Sequence, residues 1–220
     1  MSLKPPDFDQ WFTSSAGTSS DGVHFTVQLG RGSLCLPTGR VVAAEPGYVP
    51  DADRCAFTQT VPPGRYPVIL LVAEYRESSE PGAGLIDEQV AAARLVIRDE
   101  PAATWEMAVL KGQKPDDLGD GEYYGCPVDG GMGCFTDAQT LQGLLATGDM
   151  EWLDDLRTDV LDRPTAPTML TDPHDEPVLA AFTTGGSDGT YPTWAGRTAN
   201  GDVACFVTDF FLLRDAQPGT

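Results

Sequence analysis

Glycine and proline interrupt this chain so often that long regular elements are excluded from most of it. The 220 residues include 24 Gly and 18 Pro, roughly a fifth of the chain against a usual share of about 12%. Apolar stretches between these residues are short. The triplet Pro62-Pro63-Gly64 separates two such stretches, and the second contains the continuous run Val68–Val72. A turn triplet between apolar runs is typical of a β-hairpin, so we predict many short antiparallel strands rather than a helix bundle.

The pattern as a whole predicts about eight to ten strands and two short helices. The predicted strands are 23–29, 33–36, 40–43, 56–61, 66–75, 90–97, 104–110, 178–184 and 203–213. Asp137 and Asp149 each precede a stretch with helical spacing of leucines and are the predicted N-caps. No strand–helix–strand alternation, repeat or linker is visible. We therefore predict an α+β fold, mainly antiparallel β with two short helices, as a single domain over residues 23–215. The Ser- and Gly-rich residues 1–22 are predicted to form a loose arm.

The charge of the chain limits its partners. Asp and Glu number 33 against 14 Lys and Arg, which gives a net charge of −19. Phosphate backbones and anionic membranes are bound by Lys and Arg, so we expect no nucleic acid and no membrane as partners. The longest apolar run, Val68–Ala73, is far shorter than the roughly 20 residues that cross a bilayer. No leader-like segment opens the chain, so we expect a cytoplasmic protein.

Familiar catalytic and metal motifs are incomplete. Gly185-Gly186-Ser187-Asp188-Gly189 has the spacing of a serine hydrolase elbow, but no His follows His174 to complete the triad. The acidic loop at 116–121 has Leu118 where a calcium ligand is required. The chain has only two histidines, and we predict no cofactor. Five cysteines at unrelated spacings are expected to be free thiols, and a bridge between Cys126 and Cys134 stays open.

Three segments differ from ordinary core sequence, namely 123–137, 185–194 and 203–213. The first is rich in glycine and ends at the predicted helix N-terminus, where the dipole and free N–H groups lower the pKa of a nearby thiol such as that of Cys134. The third places Asp209 inside an apolar strand, where a carboxylate must be paired or hydrogen-bonded. Each segment also has a plain structural interpretation, as a tight turn or as a carboxylate that holds a turn.

The same segments carry a resemblance to a known family. The marks are Pro62-Pro63-Gly64-Arg65-Tyr66-Pro67-Val68, Val90–Leu95, Trp105–Ala108, the stretch from Tyr124-Gly125-Cys126-Pro127-Val128-Asp129 to Asp137, the stretch 185–192, and Val207–Phe210. Over residues 32–213 the chain resembles a bacterial family known only as domain of unknown function 4241. The family's usual Gly-Tyr-Pro-Val-Asp is Gly-Cys-Pro-Val-Asp here, so Cys126 is a substitution. The resemblance implies no particular reaction.

Two hypotheses about function follow. The first is an acidic binding or interaction module for a basic protein partner or a small-molecule ligand, in which Asp137, Tyr191, Trp194 and Asp209 are the candidate binding residues. The second is a hydrolase-like enzyme with Cys134, Asp129 and Asp188 as candidate catalytic residues. In a variant of the second hypothesis, carboxylates bind a divalent cation that activates water. Both hypotheses require the three segments to fold together around one hollow.

Overall fold

Two antiparallel sheets face each other and provide most of the regular structure. The computed structural model describes residues 2–13, 16–18, 24–78, 83–185, 188–214 and 217–218, without the side chains of 16–18, 24–31 and 217–218. The strands in this part of the chain are β1 (Ala16–Thr18), β2 (His24–Leu36), β3 (Arg40–Ala44), β4 (Ala56–Thr60), β5 (Gly64–Arg76), β6 (Leu85–Val96), β7 (Thr104–Met107), β8 (Cys126–Val128), β9 (Met132–Asp137), β10 (Thr168–Thr171), β11 (Pro177–Thr183), β12 (Gly189–Tyr191), β13 (Thr193–Arg197), β14 (Val203–Asp209) and β15 (Gln217–Pro218).

The helices are few and short. They are α1 (Phe8–Thr13), α2 (Ala52–Cys55), α3 (Ala138–Ala146) and α4 (Glu151–Asp162), with single 3₁₀ turns at Pro46–Tyr48 and Pro115–Asp117. The first sheet has the order β15-β1-β2-β5-β6-β14-β13-β7, the second has the order β10-β11-β9-β3-β4, and β12 and β8 form a separate ribbon. Every strand pair that the structure describes is antiparallel. The predicted α+β fold dominated by antiparallel strands is confirmed.

The core has three layers of apolar contact. The inner faces of the two sheets meet in a central core that includes Val68, Leu70, Phe135 and Phe206. Helices α3 and α4 cover the outer face of the second sheet, and α1 covers the outer face of the first. Both faces of β5 are therefore covered, with Val68, Leu70 and Val72 inward and Leu71 and Ala73 outward. This explains the continuous apolar run, because alternate residues of a strand point to opposite faces.

The N-terminal segment differs from the prediction. We expected residues 1–22 to be a loose arm, but Phe8–Thr13 form a helix whose Phe8 and Trp11 are buried. The Phe8 ring packs edge-on against Trp11 at 5.3 Å and lies 4.8 Å from the Trp105 ring. Residues 14, 15 and 19–22 lie outside the described part of the chain. The Ser- and Gly-rich composition concealed the packing, because a few aromatic residues suffice to hold a short helix on a sheet.

Two element boundaries also differ from the predictions. Strand β14 ends at Asp209, and residues 210–214 form turns rather than the end of a long strand. Helix α4 begins after Met150 and has no side-chain cap at that residue, although Asp149 Oδ1 accepts a hydrogen bond from Glu151 N at 2.9 Å. Within the described residues, no helix combines the length and apolar character needed to cross a membrane.

Candidate functional site

Two of the three unusual segments pair with each other. Strands β8 and β12 form an antiparallel ribbon that aligns Cys126 with Tyr191 and Val128 with Gly189. The third segment joins them, because Asp209 N donates to the carbonyl of Pro192 at 3.1 Å and the Tyr191 ring packs edge-on against Phe210 at 5.1 Å. The distant segments therefore contact one another, although residues 203–213 do not line the larger cavity beside the ribbon.

Glycine makes this close pairing possible. A Cβ atom added to Gly125 would lie 2.8 Å from the Thr190 side chain and from the carbonyl oxygen of Tyr191. Gly130 is equally confined, since a Cβ there would lie 2.5 Å from Glu45 Oε1. Contacts this short do not occur in real structures, so each position excludes larger residues.

Asp137 holds the backbone rather than facing a ligand. It is fully buried at the end of β9 and is the N-cap of α3, as predicted. Its carboxylate accepts from Gln139 N at 3.0 Å, from Thr38 N at 2.9 Å and from the Thr38 hydroxyl at 2.7 Å. These bonds tie the β2–β3 turn to the start of α3 and occupy both oxygens of the side chain.

Asp209 has a similar structural environment. Its carboxylate is fully buried, accepts from Phe211 N at 2.8 Å and lies 2.7 Å from Arg214 Nη2. Burial raises the pKa of Asp209, while Arg214 and the Phe211 N–H act in the opposite direction. Phe211 has a φ of 65°, a region that non-glycine residues seldom adopt. The Asp209 carboxylate therefore stabilises a strained turn.

The two acids assigned to catalysis, Asp129 and Asp188, directly adjoin the aligned pair Val128 and Gly189 at one end of the ribbon. Asp129 Oδ2 accepts from the Tyr48 hydroxyl at 3.1 Å. Asp188 is exposed beside residues 186 and 187, which lie outside the described part of the chain. Among the described residues, no group of three or more His, Cys, Asp or Glu side chains is placed to hold a metal ion. The structure thus does not bring Asp129, Asp137, Asp188 and Asp209 around one ion.

Cys134 does not lie in the loop before the helix as expected. It is in β9, 1% exposed, with its side chain in the core between the second sheet and α3. Burial raises the pKa of its thiol well above the ordinary value. An activated thiol needs a lowered pKa and access to solvent, so this environment opposes the nucleophile role. All five cysteines lie in described residues and are free thiols, so Cys126 and Cys134 are not bridged.

The two aromatic candidates are part of the core. Tyr191 is 4% exposed and packs against Phe210 and Phe211. Trp194 is 2% exposed in the layer between the first sheet and α1, and its indole N–H has no hydrogen-bond partner among the described residues. Neither ring is presented to solvent as a binding surface.

A cavity lies beside the β8–β12 ribbon, where the end of β3 meets β8. Its volume is about 170 Å³. Its walls are largely apolar and include Val49, Phe57, Ala108 and Leu110. A mainly apolar hollow with a few polar groups is typical of a small-molecule site. We name it the Glu45 cavity after the carboxylate in its wall.

Glu45 is the polar centre of this cavity. Its side chain is fully buried, and its Oε2 accepts from Asp129 N at 2.6 Å and from Gly130 N at 3.1 Å. The other oxygen, Oε1, is buried without a hydrogen bond, and its nearest cationic group is Arg157 Nη2 at 3.8 Å. A buried carboxylate oxygen without a donor is costly, and Oε1 lies against Gly130 and Arg157, neither of which lines the cavity.

Two thiols and a phenol complete the polar lining. Cys126 faces the cavity, donates weakly to the Pro127 carbonyl at 3.4 Å, and has its pKa raised by burial to about 11. Burial also raises the pKa of Cys55. The hydrogen bond to Asp129 raises the pKa of Tyr48. All three groups are therefore protonated and uncharged at neutral pH, and the thiols are poor nucleophiles.

Gln113 and Tyr124 also line the cavity. Gln113 Oε1 accepts from Leu110 N at 2.7 Å, and its amide nitrogen has no hydrogen-bond partner among the described residues. The Tyr124 hydroxyl donates to the Lys114 carbonyl at 3.3 Å. Gln113 thus offers a free N–H donor at the cavity wall.

The sequence interpretation missed most of these lining residues. Glu45, Tyr48, Cys55 and Gln113 come from stretches that looked like ordinary strand ends and loops. A weak signal was present at Glu45, which directly follows the apolar strand β3 and precedes Pro46. A carboxylate at the end of a buried strand needs partners, but its sequence neighbours do not reveal which ones.

Comparison with known proteins places the chain in a family but assigns no activity. Neither the curated proteins nor the solved structures include a match to it. A family model described as "Protein of unknown function (DUF4241)" matches residues 34–208. These residues include strands β3–β13 and every side chain named above for the Glu45 cavity. Because the match extends over most of the chain, the protein belongs to the DUF4241 family.

Proposed function

We propose that this protein is a binding module that takes a small, mainly apolar molecule in the Glu45 cavity. The single observation that carries the proposal is the cavity itself, a formed and mainly apolar hollow with a buried carboxylate in its wall. The free state of all five cysteines supports a reducing compartment such as the cytoplasm.

The size of the cavity limits the ligand to about one ring. An engineered apolar cavity of about 150 Å³ in another protein binds benzene, and the Glu45 cavity has about 170 Å³. A fused two-ring ligand would need the walls to move. We therefore expect a ligand that fills the space between Phe57 and Leu110 with a single ring or a branched aliphatic group.

The charge of the cavity defines the polar part of the ligand. The Glu45 carboxylate lies in the cavity wall, and the Gln113 amide supplies a donor. An anionic ligand would face the Glu45 carboxylate in a poorly hydrated space, where like charges repel strongly. The ligand class is thus a neutral or cationic molecule, such as an amide or an amine.

Three matched probes test this proposal. Benzamide, benzylamine and benzoate share one ring and differ in charge. We expect benzamide or benzylamine to shift the NMR resonances of residues around Glu45 and Gln113 with about millimolar affinity, and benzoate to leave them unchanged.

Ala108→Leu fills the cavity and should abolish the shifts. Ala146→Leu, the same change at an exposed position of α3, should preserve them. No response to any probe, or equal binding by the two variants, would refute the proposal.

A reaction at this site is disfavoured by the state of its thiols. The Cys126 pKa of about 11 leaves almost no thiolate at neutral pH. The buried Cys134 lies behind Cys126 in a separate, smaller cavity and is further from ionisation. Non-covalent binding therefore accounts better for this lining than nucleophilic catalysis.

The second candidate function is association with a basic protein partner. It is favoured by the net charge of −19 and by the outward side of α4, where Glu151, Asp154, Asp155, Asp159 and Asp162 are exposed. Fields of this kind accelerate encounter with a cationic partner at low salt. Retention on immobilised lysozyme, a basic protein, should be strong at low salt and lost as salt is added. Absence of retention at low salt would contradict this candidate.

A further inference from the structure

An open groove lies between α3, α4 and the β10–β11 hairpin, apart from the Glu45 cavity. Its volume is about 570 Å³, more than three times that of the cavity. The floor is apolar and is formed by Leu144, Trp152, Leu170 and Val178. Leu144 and Trp152 are partly exposed although they also contact the core beneath. Large apolar side chains left open in a concave surface are typical of an interaction site.

The charged side chains of the groove all have the same sign. Among the described residues that line it, the charged ones are Asp149, Asp172 and Glu176. Backbone N–H groups of Glu176 and His174 lower the pKa of Asp172, which keeps its carboxylate ionised. Glu176 is paired with Arg65, and both side chains are about half exposed. The rim therefore carries negative charge that is only partly compensated.

Helix α4 extends this negative charge along the groove. Asp155 and Asp159 follow Trp152 at spacings of three and seven residues, and both are exposed. Residues at these spacings share one side of an α-helix. The two carboxylates therefore lie along the same side as the Trp152 ring, which forms part of the groove floor.

We propose that this groove docks a basic, apolar-anchored segment of a partner protein. An apolar side chain of the segment would cover Trp152 and Leu144, and flanking Lys or Arg side chains would pair with Asp149, Asp172 and Asp155. The inference rests on the second candidate function and specifies where and how such a partner binds.

Charge complementarity decides between this occupant and others. A second copy of the chain also has a net charge of −19. Its approach to an acidic rim is opposed by repulsion between like charges. Nucleic acid is excluded from the rim by its phosphates. A small cation would pair with the carboxylates of the rim but would leave the apolar floor exposed to water. A segment with both positive charge and an apolar side chain satisfies both features.

The test uses two short peptides and two protein variants. One peptide is built from Lys and Leu, and the other has every Leu replaced by Ser, which keeps the charge. Thr147→Arg adds a positive charge at the groove, and Thr158→Arg adds the same charge on the exposed part of α4 away from it. Both threonines are exposed and bond a backbone carbonyl three or four residues earlier. The Thr147 hydroxyl also accepts from Asp149 N at 3.2 Å.

By isothermal titration calorimetry we expect the Lys/Leu peptide to bind wild-type protein about tenfold more tightly than the Lys/Ser peptide, which corresponds to burial of one anchor. Thr147→Arg should weaken binding about fivefold or more, and Thr158→Arg about twofold at most. Equal affinity for both peptides, or equal effects of the two variants, would refute docking in the groove. Retention on lysozyme would not be affected by that result. Absence of binding to both peptides and to lysozyme would overturn the second candidate function as well.

Discussion

At the scale of single residues, buried carboxylates of this protein hold loops in place. Glu45 accepts from two backbone N–H groups after β8, Asp137 joins the Thr38 turn to α3, and Asp209 holds the turn at Phe211. In each case the acid spans segments that lack regular pairing. Hydrogen bonds from backbone N–H groups to a carboxylate are among the stronger ones in proteins, so short irregular loops can be rigid here.

Asp137 provides a direct test of this role. We expect Asp137→Ala to lower the free energy of unfolding by about 2–4 kcal/mol, because it removes a helix cap and leaves buried donors unsatisfied. Asp149→Ala is the matched control, since Asp149 is exposed and makes one bond ahead of α4. Its cost should be about 1 kcal/mol or less. Urea unfolding measures both, and equal losses would contradict the role assigned to Asp137.

The thiols differ in reactivity according to burial. In native protein at neutral pH, iodoacetamide should modify the partly exposed Cys35 and Cys55 first and leave the buried Cys134 and Cys205 unmodified until unfolding. Mass spectrometry of tryptic peptides identifies the modified sites. Rapid alkylation of Cys134 in folded protein would contradict its placement in the core and restore the nucleophile hypothesis.

The raised pKa of Cys126 gives stability a defined pH dependence. Folding favours the protonated thiol, so the stabilisation is complete below the ordinary value of 9.0 and is lost as the pH rises towards about 11. The free energy of unfolding should therefore decrease over this interval. Cys126→Ala should reduce that decrease. Identical slopes in wild type and Cys126→Ala would show that burial of Cys126 makes no contribution.

At the scale of elements, the β8–β12 ribbon joins the unusual segments into one structure. Neither strand exceeds three residues, and an isolated pair of this length is unstable in water. The ribbon persists because Tyr191 packs against Phe210 and because Gly125 permits close backbone contact. Its stability therefore comes from the neighbouring elements rather than from its own hydrogen bonds.

Two glycine-to-alanine substitutions should have opposite effects on stability. Gly125→Ala places a Cβ 2.8 Å from the Tyr191 carbonyl oxygen and should cost about 1–3 kcal/mol through overpacking. Gly143→Ala lies in α3, with open space around its Cβ position, and should stabilise by about 0.5–1 kcal/mol through helix propensity. Urea unfolding of the two variants measures the difference. A lower free energy of unfolding for Gly143→Ala, or an unchanged one for Gly125→Ala, would contradict the packing described.

Element predictions succeeded where the signal was local. The cap at Asp137 and the buried run in β5 depend on neighbouring residues or on alternation along one strand. The hairpin predicted around Pro62-Pro63-Gly64 was wrong, because this turn joins β4 of the second sheet to β5 of the first. Helix α1 was missed because its stability comes from contacts of Phe8 and Trp11 with residues far along the chain, such as Trp105. The short ribbon strands were missed for the same reason.

At the scale of the whole molecule, charge and packing impose separate constraints. The two sheets and their covering helices bury the apolar residues in three layers, while the excess of carboxylates lies mainly on the surface. A net charge of −19 opposes compaction through self-repulsion and at the same time attracts cationic partners. The acidic rim of the groove is one place where this charge borders an exposed apolar floor.

Screening of the surface charge should therefore stabilise the protein. If screening relieves about 1 kcal/mol of repulsion, Tm rises by about 2–4 °C for a chain of this size. Thermal unfolding in increasing sodium chloride measures the effect. The rise should level off within a few tenths molar salt, because the screening length is already about 10 Å at 0.1 M. A decrease in Tm over the same range would show that surface ion pairs outweigh the repulsion.

The sequence by itself determined the class of fold, the acidic surface and the residues that form turns and caps. These properties depend on composition, on period-two alternation and on neighbours within a few positions, all of which can be read along one chain. The tertiary structure alone decided that Glu45, Gln113 and Cys126 share a cavity and that Asp137 and Asp209 serve the backbone. Such contacts join residues up to about a hundred positions apart, and burial and pairing depend on which surfaces meet after the sheets have packed.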